Sequence, residues 1–293
     1  MASRSICPKS PRNNWGLAMS DPRDALDAIG QLPDAEIDIA DAALQLARVD
    51  EPDADWGAAR DHLSEIARAA AALADTLTDA DLPTRAIALS GLLGGRFSYK
   101  GDAETYDDLK NANLIHVIKR RRGLPVALGV IWLHATRAAG WDGHGVDFPA
   151  HFLVSLAGEK TQSILDVFNG GTPLSMRDLR ALLRRVEGDK AELRPGLLRP
   201  MSVRRVLLRL QNNIMTRRLQ ADDAEGALTC AEDMLRIAPD HAELWRQAAA
   251  MNQRMDRVGA ALRCYDRFLA LVPEGDVATE VRALAGALRS RLN

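Results

Sequence analysis

His151 and Asp166 are the residues whose types and spacing could most readily do chemistry. They lie in two short runs, residues 151–156 (His-Phe-Leu-Val-Ser-Leu) and 163–168 (Ser-Ile-Leu-Asp-Val-Phe), whose branched and aromatic side chains and polar Gly-containing connection read as a β-hairpin. With the turn centred on Gly158 and Glu159, opposite residue numbers sum to 317, and His151 faces Asp166. Cross-strand neighbours lie about 5 Å apart at Cβ, near enough for a carboxylate to orient an imidazole. Such a dyad can perform general acid–base work or hold a ligand; the simpler reading is a structural hydrogen bond. His116, His134 and His144 add no obvious set of the three or so converging ligands that a hydrolytic zinc needs, so neither a metal nor a cofactor is expected. Gly170 and Gly171 could cradle an anion, although two glycines after a strand more often close a turn.

These strands need a helix to pack against, and residues 119–141 supply it. Pro125 suits the first turn of a helix, residues 126–133 are apolar on every face, and Gly140 is a left-handed stop. This central helix is too short in its apolar run for the roughly 20 residues of a membrane span. Before it, apolar residues at helical spacing predict helices around Ile37 to Leu46 and Leu63 to Leu73, with a turn at Pro52 to Asp55. A third helix enters at Pro83 and leaves at Gly94-Gly95. After the hairpin, Ser175 to Asp178 looks like a capping box.

The net charge of −2 conceals an asymmetry: residues 21–108 hold 20 carboxylates against 7 basic groups, and residues 177–218 hold 12 basic groups against 4 acidic ones. The basic stretch could meet nucleic acid, an acidic partner or the chain's own acidic half. No aromatic residue interleaves with its arginines, which makes nucleic acid the less expected partner. The three cysteines, Cys7, Cys230 and Cys264, form no disulfide framework, and no apolar leader precedes them, so the cytoplasm is the expected location. Residues 1–18 read as an irregular tail, and the helix entry at Ser20-Asp21-Pro22 makes Met19 a candidate start.

Beyond Pro200 the chain repeats. Ala227, Leu228, Cys230 and Pro239 recur thirty-four residues later as Ala261, Leu262, Cys264 and Pro273, the tetratricopeptide period. Residues 202–293 are therefore expected to form an all-α repeat module with a capping helix, joined through a linker at 191–201 to residues 19–190. The outward seats of the first helices fall at Arg209, Asn212, Thr216, Glu243, Arg246 and Gln253, which with their basic excess suit an acidic or carboxylate-ended peptide.

The block 111–125, the segment Pro-Ala-His-Phe-Leu-Val (149–154) and the segment Asp-Val-Phe-Asn-Gly-Gly (166–171), followed by such repeats, together resemble the Sir-B type of transglutaminase-like family. The resemblance implies an α+β fold: a helical layer, a papain- or transglutaminase-like core, then all-α tetratricopeptide repeats. It also implies a catalytic cysteine at the start of the central helix, where the helix dipole and free amides stabilise a thiolate, with His151 and Asp166 completing the triad. That seat is Pro125, and no Cys, Ser or Thr occurs between Gly123 and Ala135. The expected function is a non-catalytic scaffold with a protein-binding, regulatory role. The alternatives are a hydrolase or transferase working through His151 and Asp166, and a nucleic-acid-binding regulator working through residues 177–218.

Overall fold

The chain packs around helix α6 (Pro125–Ala138), every one of whose residues from Pro125 to Leu133 is buried. The computed structural model describes residues 21–159, 161–194 and 196–291; the expectations for residues 1–18, Met19 and Cys7 lie outside them. Leu124 is extended and Pro125 opens the helix, as proline's missing amide allows. At the other end Gly140 has φ +67°, and the Trp141 amide donates back to the Thr136 carbonyl. Trp132, fully buried, marks the centre of the core.

One side of α6 is covered by helices. Helices α2 (Ile39–Asp50) and α3 (Trp56–Asp75) lie directly on it; α1 (Pro22–Gly30) packs behind α2, and α4 (Leu82–Ser90), continued by a π-helical turn at Gly91–Arg96, packs on the strands of the antiparallel sheet. Four carboxylates of the acidic half serve as their caps. Asp21, Asp38, Asp55 and Asp81 each accept a backbone N–H in the first turn of α1, α2, α3 and α4, where both the free amides and the helix dipole favour a carboxylate. Helix α5 (Leu114–Arg120) follows, between strands β1 (Lys100–Gly101) and β2 (Arg122–Gly123), which pair in parallel just before α6.

The other side is an antiparallel sheet built from β3 (Gly143–Phe148), β4 (His151–Ala157), β5 (Gln162–Asp166), β6 (Thr172–Leu174) and β7 (Pro200–Met201), in the order β6-β5-β4-β3-β7. The β4–β5 register is Val154 opposite Leu165 and Ser155 opposite Ile164, a sum of 319. The expected 317 is therefore wrong by two residues, because Gly158 opens the loop, its amide donating to the Thr161 carbonyl, and does not lie at the loop's centre. A shift of two keeps every side chain on its face.

Helix α7 (Met176–Glu187) starts on the Ser175/Asp178 capping box. Residues 191–201 do not serve only as a linker: they end in β7, whose Pro200 and Met201 pair with Val146 and Gly145 on β3. Helix α8 (Val203–Gln220) is capped from across the molecule by Asp34, which accepts from the Val203 and Arg204 amides at 2.8 and 2.9 Å. Its Val206, Leu207 and Ile214 join the same hydrophobic core as α6. Helices α9 (Ala224–Ile237), α10 (Ala242–Arg254), α11 (Val258–Leu271) and α12 (Asp276–Ser290) complete the repeats, and Tyr265, Phe268, Val281 and Leu288 give the second unit and its cap a core of their own.

Helix α1 is seated on α9 so closely that a Cβ on Gly30 would meet the Arg236 carbonyl oxygen. At this contact Arg23 Nε lies 3.2 Å from Asp233 Oδ1. Burial nevertheless raises the Asp233 carboxyl to about 6, against the lowering effects of Arg23 and Arg236. The folded protein thus holds this proton more tightly than the unfolded chain. Stability from it is complete below pH 3.8 and is lost as pH climbs to about 6, a difference of roughly 3 kcal/mol. Urea midpoints should therefore fall from pH 4 to pH 7 by more in the wild type than in Asp233→Asn, and two parallel pH profiles would refute the assignment.

Candidate functional site

Strand β4 begins with His151, and β5 ends with Asp166, so the sheet delivers both side chains to one end of the core. His151 Nε2 lies 3.1 Å from Asp166 Oδ1. In this register the two residues are offset by two positions, and the reach of the imidazole closes the gap. Asp166 is 6% exposed and also caps the helical turn Val167–Asn169, accepting from the Phe168 and Asn169 amides and, at 2.7 Å, from the Asn169 side chain. Burial pushes its carboxyl up, but the hydrogen bonds from His151 and Asn169 outweigh burial and hold it below the usual range.

Around this pair the structure gathers residues that sequence patterns did not connect with it. Arg209 donates from Nη2 to the His151 carbonyl at 2.7 Å, and its guanidinium stands 5.6 Å over the Phe152 ring. Phe168 presents a tilted ring 6.5 Å from His151, with Tyr106 beyond it at 6.0 Å. Phe168 also packs on Gly101, where a Cβ would collide with its ring, so β1 and the start of α6 are fastened to the turn that Asp166 caps. Asn169 lay within a quoted motif. Arg209 and Tyr106 carry no local signal, since their contacts span 58 residues or more or are set by packing.

At the head of α6 stands Pro125, with no hydroxyl or thiol on it or in the buried turn that follows. Cys230 and Cys264 lie in α9 and α11, within the repeats. The remaining histidines are apart from the pair. His116 approaches Glu51, His134 donates from Nε2 to the Leu63 carbonyl, and His144 lies half-buried on β3, partial burial lowering its pKa. The Gly170-Gly171 turn has φ of +70° and +83°, and a Cβ on Gly171 would meet Ser90 and Trp132.

Of the six seats expected to bind a partner, two line one groove. Arg209 and Asn212 line an open groove of about 480 Å³ where α8 and α10 meet the β3–β4 turn. Glu243 and Arg246 form a two-pronged ion pair at 2.6 and 2.8 Å, and Gln253 accepts from the Tyr265 hydroxyl of α11 at 3.0 Å. Thr216 is exposed on α8. Several cations of the basic stretch are engaged within the chain. Arg204 donates to the Leu32 carbonyl at 2.7 Å, Arg217 to the Asp107 carbonyl at 3.2 Å, and Arg218 to Asp50. Arg177, Arg180 and Arg184 on α7 point to solvent.

Two family descriptions match this architecture, the transglutaminase-like superfamily over residues 58–212 and a tetratricopeptide repeat over residues 214–286. A UPF0162 protein of Xylella fastidiosa (strain Temecula1) is 31% identical over 194 residues, covering 65% of this chain and 69% of the relative. A UPF0162 protein of Pseudomonas aeruginosa is 29% identical over 266 residues, 89% of this chain and 93% of the relative. The F-box only protein 21 of Mus musculus is 24% identical over 168 residues, 54% of this chain and 26% of that protein. With the superfamily match covering more than half its length, the chain belongs to the transglutaminase-like superfamily and is a relative of the UPF0162 proteins, its core followed by tetratricopeptide repeats.

Proposed function

We propose that the protein is a cytoplasmic, regulatory scaffold: a transglutaminase-like core without acyl-transfer chemistry, joined to repeats that bind an acidic segment of another protein. The observation that carries this reading is Pro125, a residue with no nucleophilic atom, at the helix start where a thiolate would be stabilised. Sequence supports it further, since no cysteine occurs between Cys7 and Cys230. Burial pushes the Cys230 thiol up to about 12 and raises that of Cys264, which removes the thiolate at neutral pH. Iodoacetamide at pH 7.5 should therefore alkylate Cys230 in the folded protein at least ~100-fold more slowly than in urea. Equal rates would overturn that description of the repeats.

A second reading keeps the core as a hydrolase or transferase using His151 and Asp166. It is favoured by their 3.1 Å contact and by an imidazole that retains 15% exposure. One experiment decides between the two. The purified protein is incubated with a p-nitrophenyl ester, and separately with a glutaminyl peptide and a primary amine. The scaffold reading expects no turnover above background and no difference between wild type and His151→Ala. Turnover that vanishes in His151→Ala would replace it with the dyad enzyme. Nucleic acid is the weaker partner reading, because α8 directs Arg204, Arg209, Arg217 and Arg218 to its own chain.

A further inference from the structure

We propose that the groove between the repeats and the β3–β4 turn binds a peptide carboxylate, with Asp147 of the core acting as a built-in competitor for the same two arginines. The proposal rests on the reading that the repeats carry a protein partner, and it gives that partner a place and a chemistry.

The groove has a divided lining. Met201 of β7, Leu208 of α8 and Leu244 of α10 contribute apolar surface, suited to one aliphatic side chain of a ligand. On the wall nearest the core, two guanidinium groups converge on a single carboxylate: Arg205 Nη2 lies 3.5 Å from Asp147 Oδ2, and Arg209 Nη1 meets Asp147 Oδ1. Two cations on one anion leave an uncompensated positive charge. The site is open to ligands, since the Arg205 and Asp147 side chains are 62% and 46% exposed. Arg205 presents a fork of five N–H donors, of which Asp147 engages one side, and a second carboxylate fits the geometry of the remainder.

Gln247 on α10 gives an independent indication. Its amide nitrogen is directed to Glu243 Oε1 at 3.5 Å, which turns Oε1 the other way. That oxygen is buried and has no hydrogen-bond partner among the described residues. A buried acceptor left alone costs free energy, and a rotation of the partly exposed Gln247 amide toward the groove would let a ligand donor, such as the backbone N–H of an extended peptide, recover it. Carboxylate, aliphatic side chain and peptide N–H are together the chemistry of a short acidic peptide segment. A terminal carboxylate and an acidic side chain would satisfy the arginines alike.

Fluorescence polarisation of the full chain separates these sources with three labelled peptides. One is Gly-Ser-Leu-Ala-Leu-Asp with a free C-terminus, one the same peptide amidated, and one an amidated version ending in Asn, which has no carboxylate. The first should bind at least tenfold more tightly than the third; the second tells whether the side-chain carboxylate suffices. Arg205→Glu, at an exposed position, should weaken the first peptide at least tenfold. Asp147→Asn should tighten it about fivefold by releasing both arginines, a gain that damage to the fold cannot imitate. Equal binding of the first and third peptides, or no tightening in Asp147→Asn, would overturn the proposal. Turnover dependent on His151 alongside the expected peptide discrimination would defeat the scaffold reading alone. Absent discrimination without turnover would defeat the groove alone.

Discussion

Gly129→Val is expected to lower the melting temperature by about 10 °C or more, although valine is the better residue for a helix by propensity. Gly129 lies in the middle of α6, and a Cβ built on it would stand 2.1 Å from Cε1 of the buried Phe152 ring. The ring cannot retreat. On its other side a Cβ on Gly145 would come within 2.7 Å of it, and Arg209 stands above its face. Phe152 is thus held between a glycine of the central helix and a glycine of β3, and any side chain at 129 must displace it. Losing the packing of a buried phenylalanine costs about 3 to 5 kcal/mol, several times what the helix gains. Thermal unfolding monitored by circular dichroism measures this directly. The double variant Gly129→Val with Phe152→Ala should recover part of the loss, because the two changes compete for one volume. Additive losses would show that the ring is not what the new side chain meets.

The second large effect is expected from Asp166→Ala, at about 3 to 4 kcal/mol. Its carboxylate accepts from His151, from two backbone amides and from the Asn169 side chain, so alanine leaves four donors without their acceptor at the end of a buried strand. The pH dependence identifies the responsible group. The folded carboxyl is held below its unfolded value of 3.8, so the stability it confers is present above that value and is lost as pH falls through the lower folded one. The gap between wild type and Asp166→Ala in urea should stay constant at neutral pH and narrow only below about pH 4. A gap that changed between about pH 5 and 7 would refute the assignment to this carboxylate.

The helices were legible because their signals are local. Pro125 and Gly140 bound the central helix, Ser175 and Asp178 start α7, and the period of thirty-four sets out the repeats. What escaped was nonlocal or lacked β character. Strand β3 reads Gly-His-Gly-Val-Asp-Phe, and its glycines, poor in strand propensity, are there to admit neighbours: Phe152 at Gly145, and Thr136 at Gly143. Strand β7 is two residues long, below what any alternation can reveal. At the site, the residue pair was legible but its register was not, because loop glycines mark a turn without marking its centre. Arg209 shows the limit most plainly. Its spacing placed it on a repeat helix, and nothing local foretold that its side chain would also reach the carbonyl of His151 and the carboxylate of Asp147.

The seating of α1 on α9 bears on the order in which the chain is made. Arg23 finds Asp233, and Asp27 finds Arg236, some 210 residues later. During synthesis α1 can pack on α2 as soon as that helix follows, but the side of α1 that meets α9 stays uncovered until the end of α9 has left the ribosome. At about 5 to 20 residues per second that interval lasts on the order of 10 to 40 seconds, long enough for holdase chaperones to engage the nascent helices. The α1–α9 seam is thus the last of the contacts of α1 to close, and it closes at the first repeat.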